Sequence, residues 1–457
     1  MRAADRALRG RSFRAILAGA LSFGAIACAT YSERMANSRA LVAEGSYDAA
    51  LETLNNALGV DRRSEIPDRF RSQTALLLLD RGMISQAQGE YFAAARDLEA
   101  ADERLEYLDI SDDAVGAIGK YVYSDSSTKY VASPVEKLTL NSINMLNRLA
   151  IRDLAGARVE AKRYTVMREY LSESGPAGVR GTLGAYLAGF VFERLGETNA
   201  ALRYYDEALA GGDLVTLAPA VARLAARDSY RGQNLEAFLR AHSAEPMPAS
   251  KSATEILTIV SLGRAPIKVS ERMPIGAAIG VAGTYITGDL EVLGYTATKV
   301  LVYPVLLPQG GAFSTANVAV DGQASAVEMA TDIGAELTAE YEEMKPKILG
   351  AAISRMIVRA AAAEGARVAG KQAGGDAGSI LGWVAALLTE ATLVAFDQPD
   401  TRSWTLLPER VLVARTSVRP GRHKVDVDLV GMDSERRSFD VELPEGGFAV
   451  IVVTPLR

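Results

Sequence analysis

The sequence predicts an α+β protein, with a helical repeat array over its first half and a β-rich, sandwich-like part with inserted helices after it. Three observations carry this. A short glycine-led motif recurs before residue 210, four strand-like segments, two of them alternating apolar and charged residues, crowd the stretch after residue 409, and an Ala- and Glu-rich stretch lies between. About half of the 457 residues are apolar (49%) and 23% are charged, the balance of a chain that can bury a core rather than stay disordered.

The chain opens on a basic stretch, Arg2, Arg6, Arg9, Arg11 and Arg14, followed by an apolar run from Ala15 to Ala27. That run is about half the roughly 20 residues a spanning helix needs, so it reads as a secretory signal peptide, residues 1–27. Its exit, Ala25-Ile26-Ala27-Cys28, resembles the lipobox of bacterial lipoproteins, with Ala25 where the pattern prefers Leu. The resemblance implies lipid attachment at Cys28, the sole cysteine. Ala29 and Thr30 replace the aspartate that holds such proteins at the inner membrane, which implies the periplasmic face of the outer membrane. Acyl chains anchor firmly at about 0.8 kcal/mol per buried methylene. Removing five arginines and one aspartate takes the net charge from −6 to −10. That acidity argues against nucleic acid and against anionic lipid headgroups as main partners.

Repeats define residues 28–248. Gly45-Ser-Tyr47-Asp-Ala-Ala50 is followed by Leu54 and Ala57. Gly89-Glu-Tyr91-Phe-Ala-Ala94 brings Leu98 and Ala101 at the same offsets, and Gly196-Glu-Thr198-Asn-Ala-Ala201 brings Tyr205 and Ala208. A weaker copy starts at Gly156. Gly82 and Gly189 each precede a turn glycine by seven residues. The pattern resembles the tetratricopeptide repeat, in which glycine reverses the chain between antiparallel helices and alanine admits their close approach. The resemblance makes Gly45, Tyr47, Ala50, Gly89, Tyr91, Ala94, Gly196, Ala201 and Tyr205 a structural framework. Asp102 to Pro134 reads as a polar insertion, and the array is expected to end near Pro246 and Pro248.

Residues 249–457 form the mixed part. Strands are expected at Glu255–Ser261, Lys299–Tyr303 and Asn317–Val320. Helix is expected from Glu328 to Lys371, broken at Pro346, and again from Ser379 to Phe396, giving a helical insertion near 328–396. Strands return at Arg410–Ala414, His423–Leu429, Ser438–Leu443 and Phe448–Val453, where Val alternates with Asp or Lys as in a sheet with one wet face. Gly263-Arg-Ala-Pro266, Asp400-Thr-Arg402-Ser-Trp404 and Leu407-Pro408, taken with the upstream repeats, resemble a family of tetratricopeptide-bearing bacterial outer-membrane lipoproteins of unknown function. That resemblance implies location and architecture, and no activity.

Local motifs for catalysis fail on chemistry. Gly365 to Gln372 nearly spells a phosphate-binding loop, but Gln372 stands where Ser or Thr must hold magnesium. Ser126-Ser-Thr-Lys129 has serine–lysine spacing without its companion element. His242 and His423, the only histidines, lie in different halves, so no local triad or histidine-rich metal site forms. Arg402 and Trp404 are read first as packing at a junction and second as a candidate partner contact.

The function expected is a non-enzymatic, lipid-anchored scaffold presenting a concave groove to an envelope protein or peptide partner, with no cofactor and no metal. Alternatives are an envelope hydrolase or peptidoglycan-modifying enzyme with a dispersed active site, and a small-molecule or glycan carrier. Paired acids with raised pKa in a cleft would mark the enzyme, an enclosed apolar pocket the carrier, and an open groove of helix faces the scaffold.

Overall fold

Four helix pairs in the first half turn in the same way. The computed structural model describes residues 31, 35–107, 129–174, 180–242, 253–295, 300–372 and 399–457. Cys28, most of the 102–134 insertion and the Ser379–Phe396 segment lie outside them. The pairs are α1 (Ala36–Ala43) with α2 (Tyr47–Leu58), α3 (Thr74–Ala87) with α4 (Tyr91–Asp102), α5 (Pro134–Ala150) with α6 (Leu154–Ser174), and α7 (Thr182–Arg194) with α8 (Thr198–Leu209). Two shorter helices come next, α9 (Ala218–Ala225) and α10 (Gln233–Ala241). The turn residues Gly45, Gly89 and Gly196 have φ of 79°, 79° and 78°. Each donates its N–H to the carbonyl three residues back, and the next residue donates to the carbonyl five back, the bonding that closes a helix on a left-handed residue.

The fourth turn corrects the register expected for the weak copy. Gly156 lies inside the first turn of α6, its N–H bonded to Asp153 Oδ1 at 2.9 Å. The turn residue is Arg152, four positions earlier, with φ 59° and the same pair of backbone bonds. In that register Ala157, Ala161 and Tyr164 take the places of Ala50, Leu54 and Ala57, and all three are fully buried. Ala50, Ala94, Ala201 and Tyr205 are fully buried too. Gly189 is required by close approach, because a Cβ there would lie 2.4 Å from the Tyr205 ring.

The helix α5 shows how local sequence sets a boundary. Ser133 and Glu136 form a reciprocal capping box, with Pro134 in the first turn, where its missing N–H costs nothing. A two-residue parallel pair, β1 (Glu106–Tyr107) and β2 (Val131–Ala132), brackets the insertion.

The second half contains two four-stranded sheets. The first has the order β12 (Phe448–Val453), β3 (Glu255–Leu262), β9 (Arg410–Ser417), β8 (Glu328–Asp332). The second has the order β11 (Ser434–Leu443), β10 (Gly421–Gly431), β6 (Phe313–Val320), β7 (Gln323–Ser325). They pack face to face, Ile256, Val260, Leu412 and Ile451 meeting Phe313, Val318, Val425 and Val427. The first sheet is buried on its other face as well, where Leu257, Ile259, Val411, Val413, Val450 and Val452 join the core of the helical half. This explains why all eight residues of β3 are buried. The second sheet turns its alternate charges to solvent, Asp428 bonding Arg436 and Asp426 bonding Ser438.

The helices and the first sheet therefore share one continuous core. The inner helices α3, α5 and α7 lie between the outer helices and the sheet, and α3 buries every residue from Thr74 to Gln86. The side of these helices that faces the first sheet is covered by the protein's own strands. Tyr91 donates its hydroxyl to the Val452 carbonyl at 3.1 Å, Leu456 N donates to the Tyr47 hydroxyl at 3.3 Å, and Thr454 bonds Gln86 at 2.9 Å.

A third unit stands apart. Strands β4 (Ile267–Pro274) and β5 (Val300–Leu307) form a hairpin that carries α11 (Ile275–Ala282), and this arm packs on α12 (Ile333–Gln372) around a separate core of Ala278, Leu301, Tyr303, Met344, Ile348 and Ile353. Glu328–Asp332 is strand rather than helix, because it pairs with β9. The helix also runs through Pro346 without ending. The carbonyl that Pro346 leaves unbonded belongs to exposed Glu342, where water can take it. Because α12 leaves β8 and the chain returns in β9, the neighbouring strand, the helical segment is inserted between paired strands. Among the described residues no helix is long and apolar enough to cross a membrane.

The shared turn geometry has a measurable consequence. Arg152 holds a left-handed conformation that costs a side-chain-bearing residue more than glycine. Arg152→Gly is expected to stabilise the protein by about 0.5–1 kcal/mol in urea unfolding, after the larger unfolded-state entropy of glycine is subtracted. Gly89→Ala, where no atom would meet the new methyl group, is expected to destabilise by about the same amount.

Candidate functional site

The polar groups of this protein gather where its units meet. At the seam between α7, α8, α9 and the first sheet, Arg194, Arg223 and Arg415 surround Glu193 and Glu255. Arg415 reaches Glu193 at 2.9 Å and Glu255 at 2.6 Å, and Arg223 reaches Glu255 at 3.3 Å. Arg194 also pairs with Glu255, and Arg223 with Glu193. Tyr205 donates to Glu193 at 2.6 Å and accepts from Arg415 at 2.9 Å. All five charged side chains are buried. The ring of Phe190 lies 4.8 Å from Arg194 and 5.1 Å from Arg415, spreading the surplus positive charge over an aromatic face. Burial raises the Glu193 carboxyl, but Arg415, Arg194 and Arg223 outweigh it and hold the pKa at about 2. Burial also pushes the Tyr205 hydroxyl well above its ordinary value. The carboxylates and guanidinium groups here pair with one another across the seam, the chemistry of a bolt between helices and sheet.

The second gathering encloses space. Where α5, β4, α12 and the 400–408 segment converge, a cavity of about 30 Å³ is lined by Ser133, Glu136, Lys268, Glu340, Tyr341 and Ser403, with Leu337, Met344 and Ile348 as its apolar wall. Glu136 is saturated, accepting from the Tyr130 hydroxyl at 2.6 Å, Ser133 N at 2.9 Å and Trp404 N at 3.3 Å. Glu340 is different. Its Oε2 accepts a 3.3 Å bond from Val135 N, while buried Oε1 makes no hydrogen bond of good geometry. Burial pushes its pKa up to about 8, with the Val135 N–H opposing that shift and the Glu136 charge adding to it. Burial likewise lowers the Lys268 ammonium, partly offset by Glu136 and Asp400. The cavity has room for a water molecule or two, and its chemistry is that of a buried proton held on Glu340.

A third buried acid ties down the same segment. Asp80 accepts from Thr405 Oγ1 at 2.6 Å and Leu406 N at 3.0 Å, and burial pushes it up to about 7 despite those bonds.

The candidate partner contact is corrected by these bonds. Arg402 and Trp404 are buried, 6% and 1% exposed, and neither is open to a partner. Arg402 forks onto Asp400 at 2.7–3.0 Å and donates to the Ser72 carbonyl at 3.1 Å, joining the 400–408 segment to the helical half. The framework tyrosines separate in role: Tyr205 belongs to the bolt, while Tyr91 grips the last strand and Tyr47 grips the C-terminal residues after it. His242 bonds Asp213 at 2.8 Å and His423 bonds Asp321 at 2.7 Å, and the structure does not bring the two together. Gly365 to Gln372 lies within α12, and of Ser126–Lys129 only Lys129 is among the described residues. No group of three or more metal-capable side chains occurs among the described residues. Glu136, Lys268 and Glu340, which the sequence did not single out, come from three distant segments. The one local signal was the Ser133–Glu136 capping pattern.

No family model, no curated protein and no solved structure matches this chain.

Two outcomes test the electrostatics. Glu255→Gln leaves three buried arginines facing one carboxylate and is expected to cost about 3–5 kcal/mol in urea unfolding. Adding Arg194→Met should recover part of that loss, read as a coupling in the double-mutant cycle. Glu340 holds its proton more tightly folded than unfolded. Its contribution is therefore complete below the ordinary carboxyl value of 4.5 and lost as pH rises through about 8. Asp80 adds a decline of the same sign through about 7. Glu340→Gln should flatten part of the fall in stability between about pH 5 and 8 and be the more stable protein at the upper end. Parallel curves for the two proteins would contradict this.

Proposed function

We propose that the chain is a lipid-anchored, non-enzymatic scaffold of the bacterial cell envelope, held at the periplasmic face of the outer membrane through Cys28 and built on a tetratricopeptide-like array. The four turns with one bonding pattern and one sign of φ support the repeat reading. The scaffold differs from the expected one in its mechanism, because the side of the helices that faces the first sheet is covered by the protein's own strands. The observation that carries the reading is the covering of that side by β3 and β12, bolted through Arg415 and gripped by Tyr47 and Tyr91. Such a body is a stiff spacer. It positions whatever binds its outer surfaces at a fixed place above the anchor, and confinement to a surface raises effective concentration there.

The second reading, an envelope hydrolase with a dispersed site, draws on one observation, the raised Glu340 carboxyl beside Glu136 and Lys268. Against it, the cavity beside Glu340, about 30 Å³, has no room for a sugar ring, and Glu136 already has three donors. A carrier would need an enclosed apolar space between the sheets, where Phe313, Val427 and Ile451 instead pack together.

In-cell crosslinking of the full chain, coupled to mass spectrometry and set beside Cys28→Ser, tests the scaffold. Reproducible envelope partners that vanish with the substitution are the expected result. A protein that stays at the outer membrane with no partner above background would overturn it. Turnover of peptidoglycan fragments that Glu340→Gln abolishes would replace it with the hydrolase.

A further inference from the structure

The arm leaves the body at two buried ionisable side chains. Helix α12 buries Ile333 and Leu337 in the core that the helices share with the first sheet, and Met344 and Ile348 in the arm's own core. Buried Glu340 stands between the two pairs. The chain makes the same passage at β4, from Ala265 in the shared core to Met273 against the arm's core, and buried Lys268 stands between. Both side chains line the water-sized cavity at the junction.

The crossings are fastened unequally. At the hairpin, Lys268 N donates to Ser403 Oγ at 2.8 Å, and Gln309 Nε2 donates to the carbonyls of Ala265 at 2.7 Å and Thr405 at 2.9 Å. These bonds pin the base of the arm to the 400–408 segment. On α12 the fastening is weaker: the Val135 N–H, at 3.3 Å, and the Ser133 hydroxyl oppose the effect of burial on Glu340, while its Oε1 is left without a bond. Two residues on, the Glu342 carbonyl lacks its helix bond because Pro346 has no N–H. Tyr341 ties α12 to the hairpin, its hydroxyl donating to the Pro304 carbonyl at 3.0 Å. The hairpin and the distal part of α12 can therefore move as one piece.

The charges around Glu340 balance only while it keeps its proton. Glu136 on α5 opposes Lys268 on β4, and Asp400 pairs with Arg402 at 2.7 Å. Tyr130, before β2, donates its hydroxyl to Glu136. Glu336, one turn earlier on α12, is held by the Thr331 hydroxyl and the Arg180 N–H. An ionised Glu340 sets a second carboxylate against one ammonium, in a cavity with room for a water molecule or two to solvate it.

We propose that this junction is a pH-gated hinge: with Glu340 protonated the arm stays docked on the body, and with Glu340 ionised α12 lifts from α5 and the arm swings about its pins at Ser403 and Gln309. The proton passes to solvent, and the carboxylate gains the hydration that the closed cavity denies it. The hinge stands independently of Cys28 and of the scaffold reading, because it lies wholly within the described residues.

The test places a donor and an acceptor dye on the full chain carrying Cys28→Ser, at Val281→Cys on α11 and Val166→Cys on α6, both exposed positions. Single-molecule energy transfer then reads the docked and open populations from pH 6 to 9. Glu340 has its ordinary value of 4.5 when the arm is open and about 8 when it is docked. Linkage therefore raises the open-to-docked ratio about fiftyfold between pH 6 and 8, and only about twofold beyond. A rise of that size, levelling near pH 8, is the expected result. Glu340→Gln should hold the ratio within about twofold across the range. A pair within the body, Val166→Cys with Met432→Cys at the turn between β10 and β11, should report one distance throughout. Matching thermal unfolding at pH 6 shows that the variants keep the docked fold. A parent protein whose arm-to-body distance ignores pH overturns the proposal without any variant. So does a rise that persists in Glu340→Gln, which would give the titration to Lys268 or Glu336. A change in the body pair overturns it too, making the transition a general loosening rather than a hinge.

Discussion

Everything in this structure depends on the first sheet being buried on both faces. Alternate residues of β3, β9 and β12 divide between two cores, Leu257, Val413 and Val452 toward the helices and Ile256, Leu412 and Ile451 toward the second sheet. Neither neighbour can be removed without exposing a full apolar face. Hydrophobic burial of this kind is not directional. The relative placement of the layers falls instead to the charged bolt of Arg194, Arg223, Arg415, Glu193 and Glu255, whose geometry admits one alignment of α7 over β3 and β9. A buried ion cluster is a weak source of net stability, since desolvation offsets most of its attraction. Its value here is alignment.

The array and the arm then behave as different materials. The helical half is stiffened from inside by the sheet and from beneath by the 400–408 segment, which Asp80 and Arg402 tie down. The arm rests on its own core and joins the body around Glu340, where a carboxyl without full bonding adjoins a water-sized cavity. Rigid body and separately packed arm suit a protein that keeps one surface fixed and offers another.

How much of this was legible depended on the range of the interaction. Gly45, Gly89 and Gly196 were readable because a left-handed turn selects glycine locally. The fourth turn was hidden because Arg152 holds the same conformation without that signature, and Gly156 four residues later mimics it. The last four strands were visible locally, β10 and β11 in their alternation and β9 and β12 as short apolar runs. Strand β8 was not, since Glu328–Asp332 runs directly into an Ala- and Glu-rich helix and becomes a strand only by pairing with β9. The break expected at Pro346 failed because helix context can absorb one lost bond where water replaces it. Strand β4 and α11 carried no strong period, and their identity comes from β5 and α12. The candidate site was illegible in principle: Glu136, Lys268 and Glu340 meet only through tertiary packing, and an ordinary glutamate in sequence becomes a proton-holding one through burial. Arg402 and Trp404 were distinctive in sequence for the first of the two reasons considered, packing.

The covered side of the helices also fixes an order of events. Phe448–Arg457 emerge from the ribosome, and from any export channel, after every other described residue, yet Tyr47 and Tyr91 wait hundreds of positions upstream for them. Until those residues arrive, the part of the apolar side of α3, α5 and α7 that β12 and the residues after it cover stays open. The helical array cannot finish folding as it is made, and a nascent or partly translocated chain displays the surface that holding chaperones recognise.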